Sequence, residues 1–200
     1  MRTNLMRTNS RRITALVGAA VLLMVTAVPV AAAEDEFVIV FPQQHESTRY
    51  LSDFGVAKPD GRTHRGVDIH SPKGSPVLAV ADGVITKLTR SPRAGNYIVI
   101  AHADGWESWY LHLNNDRIRV DGVVTVSGPF AEGLDLGSYV AAGDVIGYVG
   151  DSGNAAGTDP HTHFELHNRG RAINPYRYLV AAEERWLLES RIEAGETPYR

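Results

Sequence analysis

From residue 36 onward, short runs of β-branched and aromatic residues alternate with Gly, Pro, Asn and Asp. Such runs are typical of β-strands separated by turns. They predict strands over residues 36–41, 66–70, 77–81, 83–88, 97–102, 106–113, 145–149 and 162–167. Asp82-Gly83 and Asp104-Gly105 indicate hairpin turns, and the second joins the strands 97–102 and 106–113. The pattern therefore predicts a β-rich domain.

Two later segments depart from this pattern. Residues 115–137 are rich in glycine and contain one possible strand at 123–126, so we interpret them as a long surface excursion. Residues 178–192 favour a helix through Ala, Glu, Arg and Leu, and place Leu179, Ala182 and Trp186 roughly on one face. We expect this helix to pack on the outside of the sheet, and no repeat or linker indicates a second domain.

The amino terminus has the composition of a secretory signal. Its arginines precede any acidic residue, residues 13–30 are almost wholly apolar, and Ala31 to Ala33 offer a cleavage site. The sequence thus predicts a signal peptide over residues 1–33, a catalytic domain over 34–178, and a helix and tail over 179–200. The alternative is an uncleaved anchor, because the apolar run approaches the roughly 20 residues that span a bilayer. The Ala-x-Ala site favours cleavage, and it leaves no integral membrane domain. Both Sec and twin-arginine export stay open.

Cleavage after Ala33 leaves 167 residues with 16 basic and 23 acidic side chains, a net charge of −7. This balance argues against nucleic acid or an anionic membrane surface as the partner. The absence of cysteine excludes disulfides and a lipidated cysteine, and it restricts any metal site to His, Asp and Glu ligands. All eight histidines lie after the predicted cleavage site.

Three histidine clusters have even spacing, which places side chains on one face of a strand. They are His64 with Asp68, Tyr110 with His112, and His161 with His163. Gly66 leaves room for an ion between His64 and Asp68. Imidazoles and a carboxylate without thiols suit zinc, and three protein ligands with one water form a catalytic site.

Other candidates have simpler interpretations. His45, His70, His102 and His167 are expected to be surface or hydrogen-bonded residues, although strand parity puts His70 on the face of Asp68. His45-Glu46 begins like the zinc-protease motif HExxH, but Arg49 occupies the second histidine position. The stretch from Gly150 to Gly153 resembles a serine-protease nucleophile loop, yet its Gly and Asn neighbours indicate a turn.

In their order along residues 50–178, the motifs resemble the lysostaphin/LytM family of zinc endopeptidases. The matching stretches include His64-Arg65-Gly66-Val67-Asp68, Ala81-Asp82-Gly83-Val84, Tyr110-Leu111-His112-Leu113, Gly143-Asp144-Val145-Ile146-Gly147, Pro160-His161-Thr162-His163-Phe164-Glu165 and Ile173-Asn174-Pro175. Each motif alone is weak, whereas their combination in this order is specific.

The resemblance implies a mainly antiparallel β-sandwich with a substrate groove and a short C-terminal helix. It implies that His64, Asp68 and His163 bind one zinc ion and that His112 and His161 are unligated catalytic histidines. The spacing of His161 and His163 does not by itself choose the ligand between them.

The implied function is a secreted, cell-wall-associated endopeptidase that cleaves peptidoglycan stem peptides or cross-bridges, with D-alanyl–diamino acid bonds favoured over glycyl-glycine bonds. The alternative is a non-catalytic LytM-like module that binds the wall or activates an amidase. The oligomeric state is not determined by the sequence.

Overall fold

Seven strands form the main sheet of the protein. The computed structural model describes residues 37–58, 60–120 and 123–195 of the chain. The strands in chain order are β1 Val67–His70, β2 Pro76–Leu78, β3 Gly83–Ser91, β4 Gly95–Ala101, β5 Trp106–Leu113, β6 Ile118–Val120, β7 Val123–Val126, β8 Tyr139–Val140, β9 Val145–Tyr148, β10 His161–Asn168 and β11 Arg171–Ile173. The main sheet has the order β1-β10-β5-β4-β3-β8, and β11 also pairs with β10. The pairings between these strands are antiparallel.

The register of the main sheet separates an apolar face from a polar face. Val67 of β1 lies opposite Phe164 of β10, which lies opposite Tyr110 of β5, which lies opposite Ile98 of β4. All four side chains are fully buried in one core. Because successive side chains alternate between the two faces of a strand, the neighbouring polar residues point away from that core.

Two smaller sheets complete the β structure. Strands β2 and β9 pair with each other, and their buried Val77 and Ile146 belong to the same core as the main sheet. Strands β6 and β7 form a separate hairpin within the predicted surface excursion. Lys73 anchors this excursion through ion pairs with Asp116 and Asp151, at 2.5 and 2.6 Å.

Helix α1, Tyr176–Glu193, follows β11 directly. The side chain of Asn174 accepts a hydrogen bond from the backbone N–H of Tyr176 at 3.0 Å, which satisfies one of the free donors at the start of the helix. Leu179 and Ala182 are buried in the core. The helix therefore closes one side of the core, as the apolar spacing predicts. Among the described residues, no helix has the length and apolar character needed to cross a membrane.

The fold class expected from the sequence is confirmed, with differences in individual elements. Residues 37–41 form no strand, although Ile39 and Phe41 are buried and the Val40 N–H donates to the Val80 carbonyl. The predicted hairpin at residues 82–83 is wrong, because β2 pairs with β9 instead of β3. The predicted turn at residues 104–105 is confirmed, since β4 and β5 are paired neighbours. The short strands β6, β8 and β11 were not predicted. The predicted signal peptide lies outside the described residues.

Candidate metal centre

Asp68 and His163 lie directly opposite each other on β1 and β10, on the face of the sheet that points away from the core. His64 precedes β1 and joins them from an irregular segment, held by backbone hydrogen bonds with Gly55 and Val56. The His163 Nδ1 atom is 2.8 Å from both Asp68 Oδ1 and His64 Nε2, and His64 Nε2 is 3.1 Å from Asp68 Oδ1. Three groups that can ligate a metal therefore converge on one point.

The outer nitrogens of both rings contact carboxylates, and His64 Nδ1 also contacts the Asp53 carbonyl at 3.2 Å. His64 Nδ1 lies 2.9 Å from Asp53 Oδ2, and His163 Nε2 lies 3.0 Å from Glu165 Oε1. An ionised carboxylate only accepts hydrogen bonds, so each outer nitrogen carries the proton in the neutral ring. The inner nitrogens then present lone pairs to each other at 2.8 Å. Facing lone pairs repel unless a proton or a metal cation lies between them, and the set of two imidazoles and a carboxylate fits a metal ion such as zinc.

The charges of the same groups favour a cation at this point. Burial of His163 opposes its protonation, but hydrogen bonds with Asp68 and Glu165 outweigh burial and raise the pKa of His163 to about 9. Burial likewise tends to raise the pKa of Asp68, yet its hydrogen bonds with His163 and His64 hold that pKa far below its usual value. The cluster therefore stabilises positive charge between its carboxylate and its imidazoles.

Gly66 is required by packing against β10. A Cβ atom on Gly66 would lie 2.3 Å from the Phe164 carbonyl oxygen and 2.9 Å from His163 Nε2. The residue thus lets His64 approach His163, which is a more specific role than leaving space for an ion. The prediction that His64 and Asp68 share one face of a strand is wrong, because β1 begins only at Val67. Their side chains converge for a reason other than strand alternation.

His112 reaches the same site through an unusual backbone conformation. Its φ angle is +64°, a region that side chains other than glycine seldom occupy. On a regular strand His112 would face the core with Tyr110. Instead, Tyr110 is fully buried and its hydroxyl accepts a hydrogen bond from the Val80 N–H, whereas His112 lines the groove beside Leu111. The predicted pairing of Tyr110 and His112 on one face is therefore wrong.

His112 and His161 have the same hydrogen-bonding arrangement. His112 Nδ1 donates to the Ser152 carbonyl at 2.9 Å, and His161 Nδ1 donates to the Asp159 carbonyl at 2.8 Å. Because a carbonyl oxygen only accepts, both neutral rings carry their proton on Nδ1 and keep a lone pair on Nε2. Their ring centroids are 5.2 Å apart. Burial, followed by the nearby His163 and His161, lowers the pKa of His112 to about 4.

The remaining candidates from the sequence lie outside the three-ligand cluster. His45 accepts a hydrogen bond from the Ser47 N–H, and His102 contacts the Asp82 carbonyl and the Ser108 hydroxyl. The ring of His70 packs 5.1 Å from that of His161, with its Nδ1 buried and without a hydrogen bond in the described part of the chain. Ser152, the serine of the suspected nucleophile loop, is buried and donates to the Leu113 carbonyl. That loop is a structural connection, as the turn interpretation predicts.

Sequence reasoning missed the carboxylates that orient the two histidines of the cluster. Glu165 contacts His163 with one oxygen and His167 with the other, at 3.0 and 2.6 Å. His167, which was expected to be a surface or hydrogen-bonded residue, is buried and holds the carboxylate that contacts His163. The signal was present in the alternation of His161, His163, Glu165 and His167, since every second residue of a strand shares one face. Asp53 has no such pattern.

A groove of about 770 Å³ crosses the cluster. Its lining includes the four histidines His64, His112, His161 and His163. The rest comes mainly from Lys58 and residues 60–65, from Ser91, Arg93 and Ala94, and from Asn154, Ala155 and Thr158. A second cavity of about 350 Å³ lies between residues 38–41 and helix α1, and it contains none of these histidines. The chemistry-bearing side chains therefore converge in the larger of these two cavities.

Comparison with known proteins gives consistent matches over this region. The sequence profile described as peptidase family M23 matches residues 62–175. The chain is 40% identical over 141 residues to the DD-carboxypeptidase/endopeptidase Mpg of Neisseria meningitidis. The aligned region covers 68% of this chain and 28% of that protein. It is 35% identical over 111 residues to the peptidoglycan DD-endopeptidase ShyA of Vibrio cholerae, covering 56% and 22%. The chain thus spans less than a third of the length of these relatives.

Solved structures show the same fold. A zinc-containing peptidase from Vibrio cholerae superposes with a TM-score of 0.54 at 28% identity, over 68% of this chain and 38% of that one. The catalytic domain of the antimicrobial peptidase lysostaphin from Staphylococcus simulans gives a TM-score of 0.52 at 28% identity, over 66% of this chain and 92% of that one.

Proposed function

The chain belongs to peptidase family M23, and from this membership we propose that it is a zinc-dependent endopeptidase that hydrolyses peptide bonds of peptidoglycan. The observation that carries the proposal is the convergence of His64 Nε2, Asp68 Oδ1 and His163 Nδ1, with both histidine tautomers fixed by outer carboxylates. The relatives named as peptidoglycan or DD-endopeptidases support the substrate. Action on the cell wall requires export, which the predicted signal peptide over residues 1–33 would provide.

We assign the ligand role to His64, Asp68 and His163 and a catalytic role to His112 and His161. Zinc held by this set would polarise the scissile carbonyl and lower the pKa of a water molecule from about 15.7 towards about 7. The two other histidines complete the chemistry. Each carries its proton on Nδ1, so each has an Nε2 lone pair able to accept a proton from the attacking water.

Once protonated at Nε2, the same imidazoles become hydrogen-bond donors. One can then stabilise the developing oxyanion or protonate the departing amine. The carbonyls of Ser152 and Asp159 hold the two rings by Nδ1 in both protonation states, because Nδ1–H donates throughout. The rings therefore need no reorientation during the proton transfers. The two histidines can therefore act as general base and general acid, so the site does not need the glutamate of HExxH enzymes.

The complete set of five residues favours an enzyme over a non-catalytic wall-binding or amidase-activating module, which needs no metal ligands. The names of the relatives favour cleavage at a D-alanyl–diamino acid bond over glycyl-glycine cleavage.

The decisive experiment is digestion of purified peptidoglycan by the zinc-loaded protein, followed by mass analysis of the released fragments. We expect new free amino groups and fragments of the size produced by a single peptide cleavage. A strong chelator should abolish their release, and added zinc should restore it. A folded, zinc-loaded protein that releases no fragment from any peptidoglycan type would contradict the proposal and favour the non-catalytic alternative.

A further inference from the structure

The groove across the metal centre carries cationic side chains although the surrounding chain is acidic. Residues 37–195 contain 15 Lys and Arg residues against 19 Asp and Glu residues. Four of the cationic side chains nevertheless line the groove: Lys58, Arg62, Arg65 and Arg93. The lining also contains three acidic side chains, so an anionic ligand is favoured where a cationic side chain has no acidic partner.

The acidic side chains of the groove are already engaged. Asp60 forms an ion pair with Arg62. Asp68 contacts two imidazoles and forms an ion pair with Lys58 at 3.8 Å, and Glu165 contacts two imidazoles. Arg65 and Arg93 are exposed and form no ion pair with any residue in the described part of the chain. Their guanidinium groups are therefore available to a ligand.

Arg65 and Arg93 line the groove from two separate parts of the fold. Arg65 stands between the ligand His64 and the start of β1, at one edge of the main sheet. Arg93 stands in the turn between β3 and β4, and β10 and β5 lie between the two positions in the sheet order. A peptide that crosses the groove along the sheet order can therefore meet an arginine from each of the two segments.

The rest of the lining suits a polar peptide. Hydroxyl and amide groups come from Thr63, Ser91, Asn154 and Thr158, whereas the apolar side chains facing the groove include only one large one, Leu111. A glycine-rich bridge has no side chains and no carboxylates within it, so it would gain nothing from the two arginines. A peptide with free carboxylates would gain charge-assisted, bidentate hydrogen bonds.

We propose that the substrate is an anionic peptide whose carboxylates next to the scissile bond are bound by Arg65 and Arg93, an inference that rests on the proposed peptidase function. The two arginines are specificity-determining residues and take no part in bond cleavage. The substrate class is thus an acidic stem peptide with free side-chain or terminal carboxylates, and neutral glycine bridges are disfavoured.

The test compares two synthetic stem-peptide dimers that differ only in whether their carboxylates are free or converted to carboxamides. KM and kcat are measured for the zinc-loaded protein and for the variants Arg65→Gln and Arg93→Gln. Each variant should raise KM for the free-acid peptide about three- to tenfold, as expected for a partly exposed charge-assisted contact, with little change in kcat. The carboxamide peptide should show the raised KM already in the unmodified protein and should respond little to either variant. Arg171→Gln is the matched control, since Arg171 is an exposed arginine on β11 outside the groove.

Equal KM values for the two peptides, or equal effects of the arginine variants on both, would overturn the inference while leaving the peptidase proposal intact. If the zinc-loaded protein cleaves neither peptide, digestion of purified peptidoglycan decides the peptidase proposal, and equilibrium binding decides the inference separately. Binding of both peptides to the zinc-loaded His161→Ala variant should then still favour the free acid, and this preference should weaken as salt increases. Indifference to the carboxylates in that binding measurement would refute the role of the arginines.

Discussion

Replacing Glu165 with glutamine tests whether a carboxylate outside the ligand set controls metal affinity. Glu165 accepts a hydrogen bond from His163 Nε2 with one oxygen and from His167 Nε2 with the other, and its side chain is only 11% exposed. Glutamine has nearly the same shape but offers one acceptor and one NH₂ donor. After the substitution, one of the two rings must therefore turn from donor to acceptor at Nε2.

The size of the effect depends on which ring changes. If His163 becomes the acceptor, its proton moves to Nδ1 and the lone pair facing His64 is lost. If His167 changes instead, His163 keeps that lone pair and the site loses only the nearby negative charge. Loss of such an outer partner costs about 10- to 100-fold in metal affinity, or about 1.4 to 2.7 kcal/mol. We assign the upper end of this range to a change at His163 and the lower end to a change at His167.

Zinc affinity of Glu165→Gln is measured by competition with a chromogenic chelator, with circular dichroism to verify folding. Nitrogen NMR of the histidine rings then identifies the tautomer of His163. The control is Glu107→Gln, because Glu107 lies on the neighbouring strand, where it accepts a hydrogen bond from Trp109 and contacts no proposed ligand. A folded Glu165→Gln protein that binds zinc within twofold of the unmodified chain would refute the orienting role.

Three further predictions concern the proposed ligands, the two other histidines and Ser152. Asp68→Ala and His163→Ala should each lose stoichiometric zinc in chelator competition, because each removes one of three ligands; full occupancy in either variant would reject the ligand assignment. His112→Ala and His161→Ala should keep zinc but lose about 10²- to 10⁴-fold in cleavage rate, the usual effect of removing a general acid or base. Loss of zinc from His161→Ala with retention in His163→Ala would exchange their roles. Ser152→Ala should lower the free energy of unfolding by about 1–3 kcal/mol, since its hydroxyl bonds two backbone groups, yet cleavage per bound zinc should persist. Activity lost with zinc retained would revive a serine mechanism.

The sheet register distinguishes His163 from His161 as the partner of Asp68, which the spacing of the two histidines does not. His161 and His163 share a face of β10, so both were candidates for the metal. In the sheet register, His163 lies opposite Asp68 and His161 lies opposite His70. Only His163 can therefore meet the carboxylate directly. The partners Asp68 and His163 are 95 residues apart in the sequence, and no local pattern reports a pairing over that distance.

His112 shows the limit of strand parity. Alternation assigns it to the core side with Tyr110, yet its left-handed backbone turns it into the groove. The hairpin predicted at residues 82–83 failed for a related reason, because a turn dipeptide indicates a change of direction but does not choose the strand that pairs next. In this protein β2 finds its partner in β9, far along the chain.

The sequence by itself determined the β-rich character of the chain, most strand positions, the C-terminal helix and the set of residues able to ligate a metal. These properties depend on residue chemistry and on periodicities of two or about four residues, which act over short stretches. The tertiary structure decided the strand order, the convergence of His64 with Asp68 and His163, the supporting carboxylates of Asp53 and Glu165, and the left-handed turn at His112. Those features arise from contacts between distant segments and from backbone conformations that packing imposes, so their physical cause lies in the folded chain as a whole.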